Sequence, residues 1–353
     1  MVRVFSEFDQ FYGSHYQYGL FQGKKLKQSP ILVNRAKQWQ TRRKHHFVTQ
    51  TDRAIDLLKH YLPRMCDEIE GLAEALEWSF DQAVREFAGY YLEIGKSGCS
   101  IMTGDDYLVR NYDSHPSGYE GRYLFYYPSD GGYATIGASM QITGRIDGLN
   151  ERGLAMGYNF TNRIGSGDGF ICNMIGRIIL ESCATVTEAV DLLRDIPHRT
   201  SFSYVLIDQT GSSVVVEASP RSVAVRPANM CTNHFELLKE ENRFRNDESL
   251  ERLAQIKQHW HPKLKPQFAY QAFNHWQDGV FSNKYQVWSG TLHTSLYQPN
   301  ALQAWFSHGA NQRPVIFDLD KLLKGERVRV RKITGQLTGQ TPFLNDLRWA
   351  GPN

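Results

Sequence analysis

The stretch Gly98-Cys99-Ser100-Ile101-Met102-Thr103-Gly104-Asp105-Asp106-Tyr107-Leu108-Val109-Arg110-Asn111-Tyr112-Asp113 is where the chain changes character. Up to Lys96 apolar residues recur mainly at helical spacing; from here short β-rich runs are separated by Gly and Asp. Cys99 to Thr103 and Tyr107 to Tyr112 flank Gly104-Asp105-Asp106, a hairpin signal. Pairing across that turn sets Cys99 opposite residue 111 or 112. If Cys99 faces Asn111, the two-residue period of a strand puts Asp113 on the cysteine's side and Arg110 on the other, unless a bulge turns it. A thiol at the start of a strand, directly after a glycine, is an accessible place for a nucleophile. The ordinary alternatives are a small core cysteine and a surface Arg-Asp pair.

Working backward, the first quarter reads as helical with an opening made irregular by Gly13, Gly19 and Gly23. Ile55, Leu57, Leu58 and Leu62 run to a breaker at Pro63, and Met65, Ile69, Leu72, Ala73 and Leu76 then recur at three- and four-residue steps. A further helix begins near Ser79 to Asp81, where Asp81 can cap the amino end, with Ala83, Val84, Phe87 and Tyr91 on one face. Working forward, strands are predicted at Tyr133 to Met140, Leu154 to Asn159, Phe202 to Asp208, Ser213 to Ala218, Ser222 to Arg226 and Met230 to Phe235. Others follow at Leu292 to Tyr297, Gln303 to Ser307 and Val315 to Phe317. Helices are predicted at Phe170 to Ser182, Thr187 to Arg194 and Glu248 to His259. Helices first and hairpin-linked strands afterwards describe an α+β chain, antiparallel sheet layers covered by helices. No Gly-x-Gly-x-x-Gly follows a predicted strand, which argues against a parallel dinucleotide-binding sheet.

Composition removes several function classes. The 353 residues are 41% hydrophobic and 22% charged, enough for a sizeable core. With 40 basic against 37 acidic residues the net charge is only +3, so no broad field recruits nucleic acid or an anionic membrane. The local basic run from Lys37 to His46, which includes Trp39, reads as a solvated helix face. Five cysteines, at 66, 99, 172, 183 and 231, show no Cys-x-x-Cys spacing, which argues against a disulfide framework or a structural zinc site and for a reducing compartment. Met1 to Gln10 carry Arg3, Glu7 and Asp9 where a leader would be apolar, and no run of 18 uncharged apolar residues occurs. The expectation is a cytoplasmic protein without a membrane span.

Gly98-Cys99-Ser100 followed by Arg110-Asn111-Tyr112-Asp113 resembles the amino-terminal nucleophile hydrolases of the choloylglycine hydrolase and penicillin V acylase group. It is particularly similar to the acyl-coenzyme A:6-aminopenicillanate acyltransferase family, the peptidase C45-like autoproteolytic enzymes. Gly148-Leu149-Asn150-Glu151-Arg152-Gly153-Leu154 resembles that family's turn between strands, and Thr232-Asn233-His234-Phe235 its Asn-His strand end. Gly13, Tyr16, Gly19 and Gly23, with Glu68 to Glu74, resemble the front of its precursors.

The resemblance implies a four-layer αββα domain that cuts its own Gly98-Cys99 bond, leaving residues 1–98 as a small helical α chain and 99–353 as the catalytic β chain. It implies Cys99 as nucleophile, its freed α-amine as base, Asp113 orienting that amine and Arg110 beside the sulfur. Asn233 would donate to the oxyanion, helped by a backbone N–H or by Asn159, and the remaining family arginine is placed at Arg252. The interval from Cys99 to Asp113 is a few residues shorter than usual in these relatives, which demands a tight hairpin. Trp288 and Ser289 stand where some relatives carry an arginine.

Hydrolysis of a linear amide is the first expectation and acyl transfer to an amine the second. The substrate would be a small N-acyl amide, with acyl-coenzyme A as an alternative donor. No cofactor, metal, nucleic acid or membrane partner is expected; the α and β chains are each other's partners, and a homo-oligomer is left open. Tyr112, Tyr119, Tyr123, Phe125, Tyr126 and Tyr127 offer an aromatic acyl pocket or ordinary core. Rival readings are an uncleaved papain-like cysteine hydrolase with His234 or His198 as base, a metal site at His259-Trp260-His261, and a non-catalytic binding protein of the same fold.

Overall fold

Val2, Val4, Ser6 and Phe8 alternate along the first stretch and are buried, and Val2–Gly13 is a strand, β1, where an irregular helix was expected. The structure is a computed structural model that describes residues 1–40, 51–90, 98–161, 166–242, 246–277, 279–286 and 289–339. Beyond β1 the amino-terminal part is helical: α1 (His15–Lys27), α2 (Pro30–Gln40), α3 (Thr51–Tyr61), α4 (Met65–Leu76) and α5 (Phe80–Phe87). Ser79, not Asp81, caps α5: its hydroxyl accepts the Gln82 N–H, and Asp81 lies in the first turn. Tyr91, Trp288 and most of the Lys37 to His46 run lie outside the described residues.

Next come β2 (Ser100–Gly104), β3 (Tyr107–Ser114), β4 (Arg122–Pro128), β5 (Thr135–Met140), β6 (Gly144–Asn150) and β7 (Ala155–Phe160). They are followed by α6 (Cys172–Ser182), α7 (Val186–Asp195), β8 (Phe202–Ile207), β9 (Ser213–Ala218), β10 (Val223–Pro227) and β11 (Met230–Cys231). The chain continues with α8 (Asp247–His259), α9 (Pro266–Asn274), β12 (Gly290–Gln298), β13 (Gln303–His308), β14 (Val315–Asp318), α10 (Leu319–Leu323) and β15 (Lys332–Leu337).

The strands form a nine-stranded sheet, β10-β9-β8-β7-β6-β5-β4-β1-β15, and a six-stranded sheet, β11-β2-β3-β12-β13-β14. Every pairing is antiparallel except that of β1 with β4. The sheets pack face to face: Tyr123 on β4 stacks on Phe306 of β13, while Leu124 and Tyr126 turn outward to Tyr18 of α1. Outside the larger sheet lie α1, α4 and α6. Gly148 sits under Leu180, and Gly176 lies close enough to β6 that an added Cβ would come 2.9 Å from the Arg145 carbonyl oxygen. Outside the smaller sheet, Ile256 of α8 and Ala269, Tyr270 and Phe273 of α9 cover Met102, Val109 and Leu296. The layers are therefore αββα, an α+β fold.

Close approach explains the amino-terminal glycines. A Cβ at Gly19 would stand 2.0 Å from the Glu68 carbonyl oxygen, and one at Gly71 2.2 Å from that of Tyr16, so α1 and α4 touch backbone to backbone. A buried charge cluster ties this pair to α6: Arg177 donates to Glu68 at 2.7 Å and to Glu181, while His15 bridges Asp130 and Glu181. The segment 1–98 thus supplies an inner strand of the sheet as well as helices.

Candidate active site

The β2–β3 hairpin is closed by the two residues Asp105 and Asp106, and its pairs run Gly104↔Tyr107 to Ser100↔Asn111. The Gly98 N–H donates to the Asp113 carbonyl at 3.1 Å, extending the same register and setting Cys99 opposite Tyr112. Alternation from Ile101↔Arg110 then puts Cys99, Arg110 and Tyr112 on the face toward the large sheet, and Asn111 and Asp113 on the other. Of the two alternatives for the residue opposite Cys99 the structure takes Tyr112, so the condition that would have put Asp113 on the cysteine's face and Arg110 on the other is not met.

Cys99 is fully buried in the intact chain, not accessible as its place after Gly98 implied, because the larger sheet covers that face. Arg110 reaches it: Nη2 lies 3.4 Å from Cys99 Sγ and donates to the Tyr158 carbonyl at 2.5 Å, while Nη1 donates to Asp147 Oδ2 at 3.0 Å. Gly157 opposite makes room, since a Cβ there would meet Arg110 Cδ at 3.0 Å. The guanidinium lies over the rings of Tyr112 and Tyr158, at 5.0 and 5.3 Å. Burial alone would lower its pKa, but the facing Cys99 and Asp147 groups raise it.

Two bulges aim the surrounding groups. In β6 the partner of Ala138 is Asp147 and that of Ser139 is Arg145, leaving Ile146 as the extra residue. Asp147 accordingly faces Arg110, and Arg145 the charges of Arg177, Glu181 and Glu68. In β12 Thr291 pairs with Asp113 and His293 with Tyr112, so Leu292 is extra. That turns Thr291 onto the Asp113 side, where its hydroxyl donates to Asp113 Oδ1 at 2.7 Å, and His293 onto the Tyr112 side. Asp147 also accepts from Ser295 Oγ at 3.1 Å and Tyr297 OH at 2.5 Å, with His293 Nε2 at 3.5 Å. Burial opposes its charge, but His293, Arg110 and Tyr297 hold the carboxyl well below the usual range.

Around the backbone of Cys99 a second set converges. Cys99 N–H donates to Asn233 Oδ1 at 2.8 Å, and Arg252 donates to the Cys99 carbonyl at 2.6 Å, to Ser100 Oγ at 3.0 Å and to Asn233 Oδ1 at 2.6 Å. Asn233 follows a strand that ends at Cys231, short of the expected Phe235, because its N–H turns to Ser249 Oγ at 2.7 Å at the start of α8. In the intact chain its amide donates to the Phe160 carbonyl at 2.6 Å. Asp113 is held in a dry setting: burial pushes its carboxyl up from the ordinary 3.8 to about 7, against the lowering pull of Arg252, Thr291 and Arg110.

Gly98, Asp113, Glu251, Arg252, Trp276 and Phe281 border a cleft of about 400 Å³. A larger hollow of about 650 Å³, beside Phe268, Trp305 and Arg313, touches none of Cys99, Arg110, Asp113, Asn233 and Arg252. The aromatic run offered as an acyl pocket is instead largely core: Tyr112, Tyr119, Tyr123, Phe125 and Tyr126 are buried, and none borders the 400 Å³ cleft. Asn159 is buried, its amide donating to the Cys231 carbonyl at 2.9 Å. His234 bonds Ser249 and His198 the Leu193 carbonyl, at 2.8 Å each, and burial lowers both pKa values, that of His198 to about 4. His259 ends α8 with His261 exposed beyond it, and among the described residues no group of three His, Cys, Asp or Glu is arranged to hold a metal ion. No described helix is long and apolar enough to cross a membrane.

Asp147, Thr291 and Ser249 are the site residues that the sequence reading missed. The available signal was the polar run His293, Ser295 and Tyr297 at strand period, which needs a buried partner on the facing sheet.

A family model described as acyl-coenzyme A:6-aminopenicillanic acid acyl-transferase matches residues 101–313, about three fifths of the chain. The span holds Arg110, Asp113, Asn159, Asn233 and Arg252 and begins two residues after Cys99. Among solved structures, penicillin V acylase from Agrobacterium tumefaciens is similar at 17% identity, over 64% of this chain and 86% of that one, with a TM-score of 0.39. A mutant of the conjugated bile acid hydrolase from Clostridium perfringens is similar at 14%, over 68% and 97%, with a TM-score of 0.40. The Caenorhabditis elegans ortholog of N-acylethanolamine-hydrolyzing acid amidase is similar at 13%, over 57% and 92%, with a TM-score of 0.41. No curated protein matches the chain.

Proposed function

The chain belongs to the acyl-coenzyme A:6-aminopenicillanic acid acyl-transferase family, and from that premise we propose that it is a self-processing cysteine enzyme that hydrolyses linear N-acyl amides. The observation that carries this reading is the Arg110 guanidinium 3.4 Å from the Cys99 sulfur in a fully buried site. A cation at that distance favours the thiolate, the form of cysteine that attacks carbonyl carbon.

Self-cleavage comes first. Cys99 Sγ adds to the Gly98 carbonyl carbon, the C–N bond to Cys99 breaks, and the released nitrogen keeps the thiol's proton. Gly98 is then a thioester on sulfur, and water converts it to a carboxylate and a free thiol. Arg252, on the Cys99 carbonyl, and Asn233, on the Cys99 N–H, hold the residue in place on the carboxyl side of the bond to be cut. Residues 1–98 and 99–353 become the α and β chains of one domain.

Turnover uses the new α-amine, whose reference pKa is about 7.7 to 8.0, as the base for its own thiol. Asp113, whose backbone already accepts from Gly98, orients it. The sulfur attacks the substrate carbonyl, the proton passes to the departing amine, and a thioester remains on Cys99. Water resolves it in hydrolysis; an amine resolves it in acyl transfer, where acyl-coenzyme A is the alternative donor. Asn233, rotated from its bond to Phe160, and Asn159 are the oxyanion donors in this reading. The mixed polar and aromatic cleft beside Gly98 supports a small acyl amide as substrate.

Mass spectrometry of the purified protein tests the first step: fragments meeting at Gly98-Cys99 are expected, and Cys99→Ala should leave one chain. A panel of phenoxyacetyl, fatty-acyl, bile-salt and amino-acid amides, with and without an added amine, tests the second and separates hydrolysis from transfer. Turnover by the Cys99→Ala protein, or by a fully intact wild-type chain, overturns the proposal.

A further inference from the structure

We propose that Asp147 is a positioning residue, which holds the Arg110 guanidinium against the Cys99 sulfur and is itself clamped by hydroxyls of the facing sheet. The inference rests on the reading of Cys99 as nucleophile and deepens it. Arg110 has a long, flexible stem, and its Nε has no hydrogen-bond partner among the described residues. What fixes its head is the Asp147 carboxylate on one nitrogen and the Tyr158 carbonyl on the other, the second being the nitrogen nearest Sγ. Asp147 belongs to the opposite sheet, and the β6 bulge turns it inward. Ser295 Oγ and Tyr297 OH, two residues apart on β12, each donate to it, so the carboxylate cannot follow Arg110 if the guanidinium drifts. Removing this carboxylate leaves the buried guanidinium without its counter-charge and held, among the described residues, by the Tyr158 carbonyl alone, so that it can pivot away from the sulfur.

The sign of the effect makes the idea testable. As a bare negative charge near Cys99, Asp147 would disfavour the thiolate, and its loss would lower the thiol pKa. As the anchor of Arg110 it favours the thiolate, and its loss raises that pKa. The other titratable or charged groups facing the pair are His293, Tyr297, Tyr112, Tyr119, Tyr123, Tyr158, Cys172 and Asp113, all left in place by the first three variants below.

The experiment follows the pH dependence of Cys99 alkylation by iodoacetamide in the purified proteins, with cleaved and intact molecules scored separately by peptide mass spectrometry, and a thermal melt of each variant. In Asp147→Ala the thiol titration should rise by a unit or more, slowing alkylation at pH 7 about tenfold. Arg110→Met should do the same, and the double variant should be no slower than Arg110→Met alone. Asp147→Asn, which keeps an acceptor for Arg110, should retain most of the wild-type rate. A lowered or unmoved thiol titration in Asp147→Ala, or effects that multiply in the double variant, overturns the inference. If Asp147→Ala does not fold, Ser295→Ala with Tyr297→Phe decides: it loosens the clamp without altering a charge, and should slow alkylation at least twofold, whereas no change overturns. A wild-type Cys99 that never alkylates, together with turnover by Cys99→Ala, would remove the nucleophile reading itself; a reactive Cys99 indifferent to Asp147 removes only this inference.

Discussion

Asp113 makes the site's pH dependence calculable. In the folded chain its carboxyl sits at about 7, raised from 3.8 by burial, and Arg252, Arg110 and Tyr285 are the charged or titratable groups facing it. Unfolded, it titrates at about 3.9. Between those values the folded protein holds a proton that the unfolded chain has released. The stability this group contributes is therefore fully present below pH 4 and is lost as pH rises through 7. A displacement of about three units at about 1.36 kcal/mol each sets an upper bound of roughly 4 kcal/mol on the loss. The perturbation is Asp113→Asn in the uncleavable Cys99→Ala chain, because a freed α-ammonium beside Asp113 would reverse the sign. Urea unfolding of both proteins at pH 5 and pH 8 isolates the contribution of Asp113, since His198, His293 and His308 are the same in each. The substituted amide cannot ionise, so the variant should gain on its parent by a few kcal/mol from pH 5 to pH 8. A difference that stays constant, or moves the other way, refutes the account of Asp113 as a buried carboxyl kept protonated by desolvation.

Other outcomes follow from the same geometry. Arg252→Met removes the donors on the Cys99 carbonyl and on Asn233; self-cleavage should slow about a hundredfold while the melting temperature changes little, measured by fragment appearance over time. Gly71→Ala places a Cβ 2.2 Å from the Tyr16 carbonyl oxygen, so the α1–α4 pair must part, at a cost of about 1–3 kcal/mol in denaturant unfolding. Glu68→Leu leaves Arg177 with only Glu181 for a carboxylate partner among the described residues; about 3 kcal/mol of stability should go, and after cleavage the amino-terminal fragment should no longer co-purify fully with the rest.

How much of this was legible depends on the range of the interaction. The periodic steps of Met65 to Leu76 predict a helix over a stretch where the structure has one, because the three- and four-residue repeat gives one face to the core; the predicted helix Phe170 to Ser182 also stands, buried between the sheet and the α1–α4 pair. The strand Val2–Gly13 was misread because its alternation ends in the polar Asp9-Gln10, and what makes it a strand is pairing with β4 and β15, more than a hundred and three hundred residues away. Cys99, Arg110, Asp113, Asn233 and Arg252 are named on the strength of the family resemblance, and the structure brings them together within linked hydrogen bonds. Which face each occupies was not legible, since one residue of register exchanges every side chain between faces. Bulges at Ile146 and Leu292 have no sequence mark of their own, so Asp147 and Thr291 were invisible until the opposing strands were in place.

The polar seam between the sheets distinguishes chemistry from packing. Two sheets that stack face to face are ordinarily filled by apolar side chains, and a buried ion pair is often matched or bettered in stability by apolar residues of the same volume. Here Arg110, Asp147, His293, Ser295 and Tyr297 are all fully buried on those inner faces. Desolvation of Arg110 and Asp147 costs several kcal/mol per ion before their pairing offsets it. The Glu68–Arg177–Glu181 cluster bears a similar cost, but it lies where three helices meet, and fixing their packing accounts for it. The inner seam joins β6 of one sheet to β3 and β12 of the other, strands that are each held within their own ladders. What it meets is the Cys99 sulfur, 3.4 Å from the guanidinium, and a cation held in a dry site acts more strongly on a developing thiolate than the same cation in water. Under the proposed function, that contact is what gives these buried charges a use beyond packing.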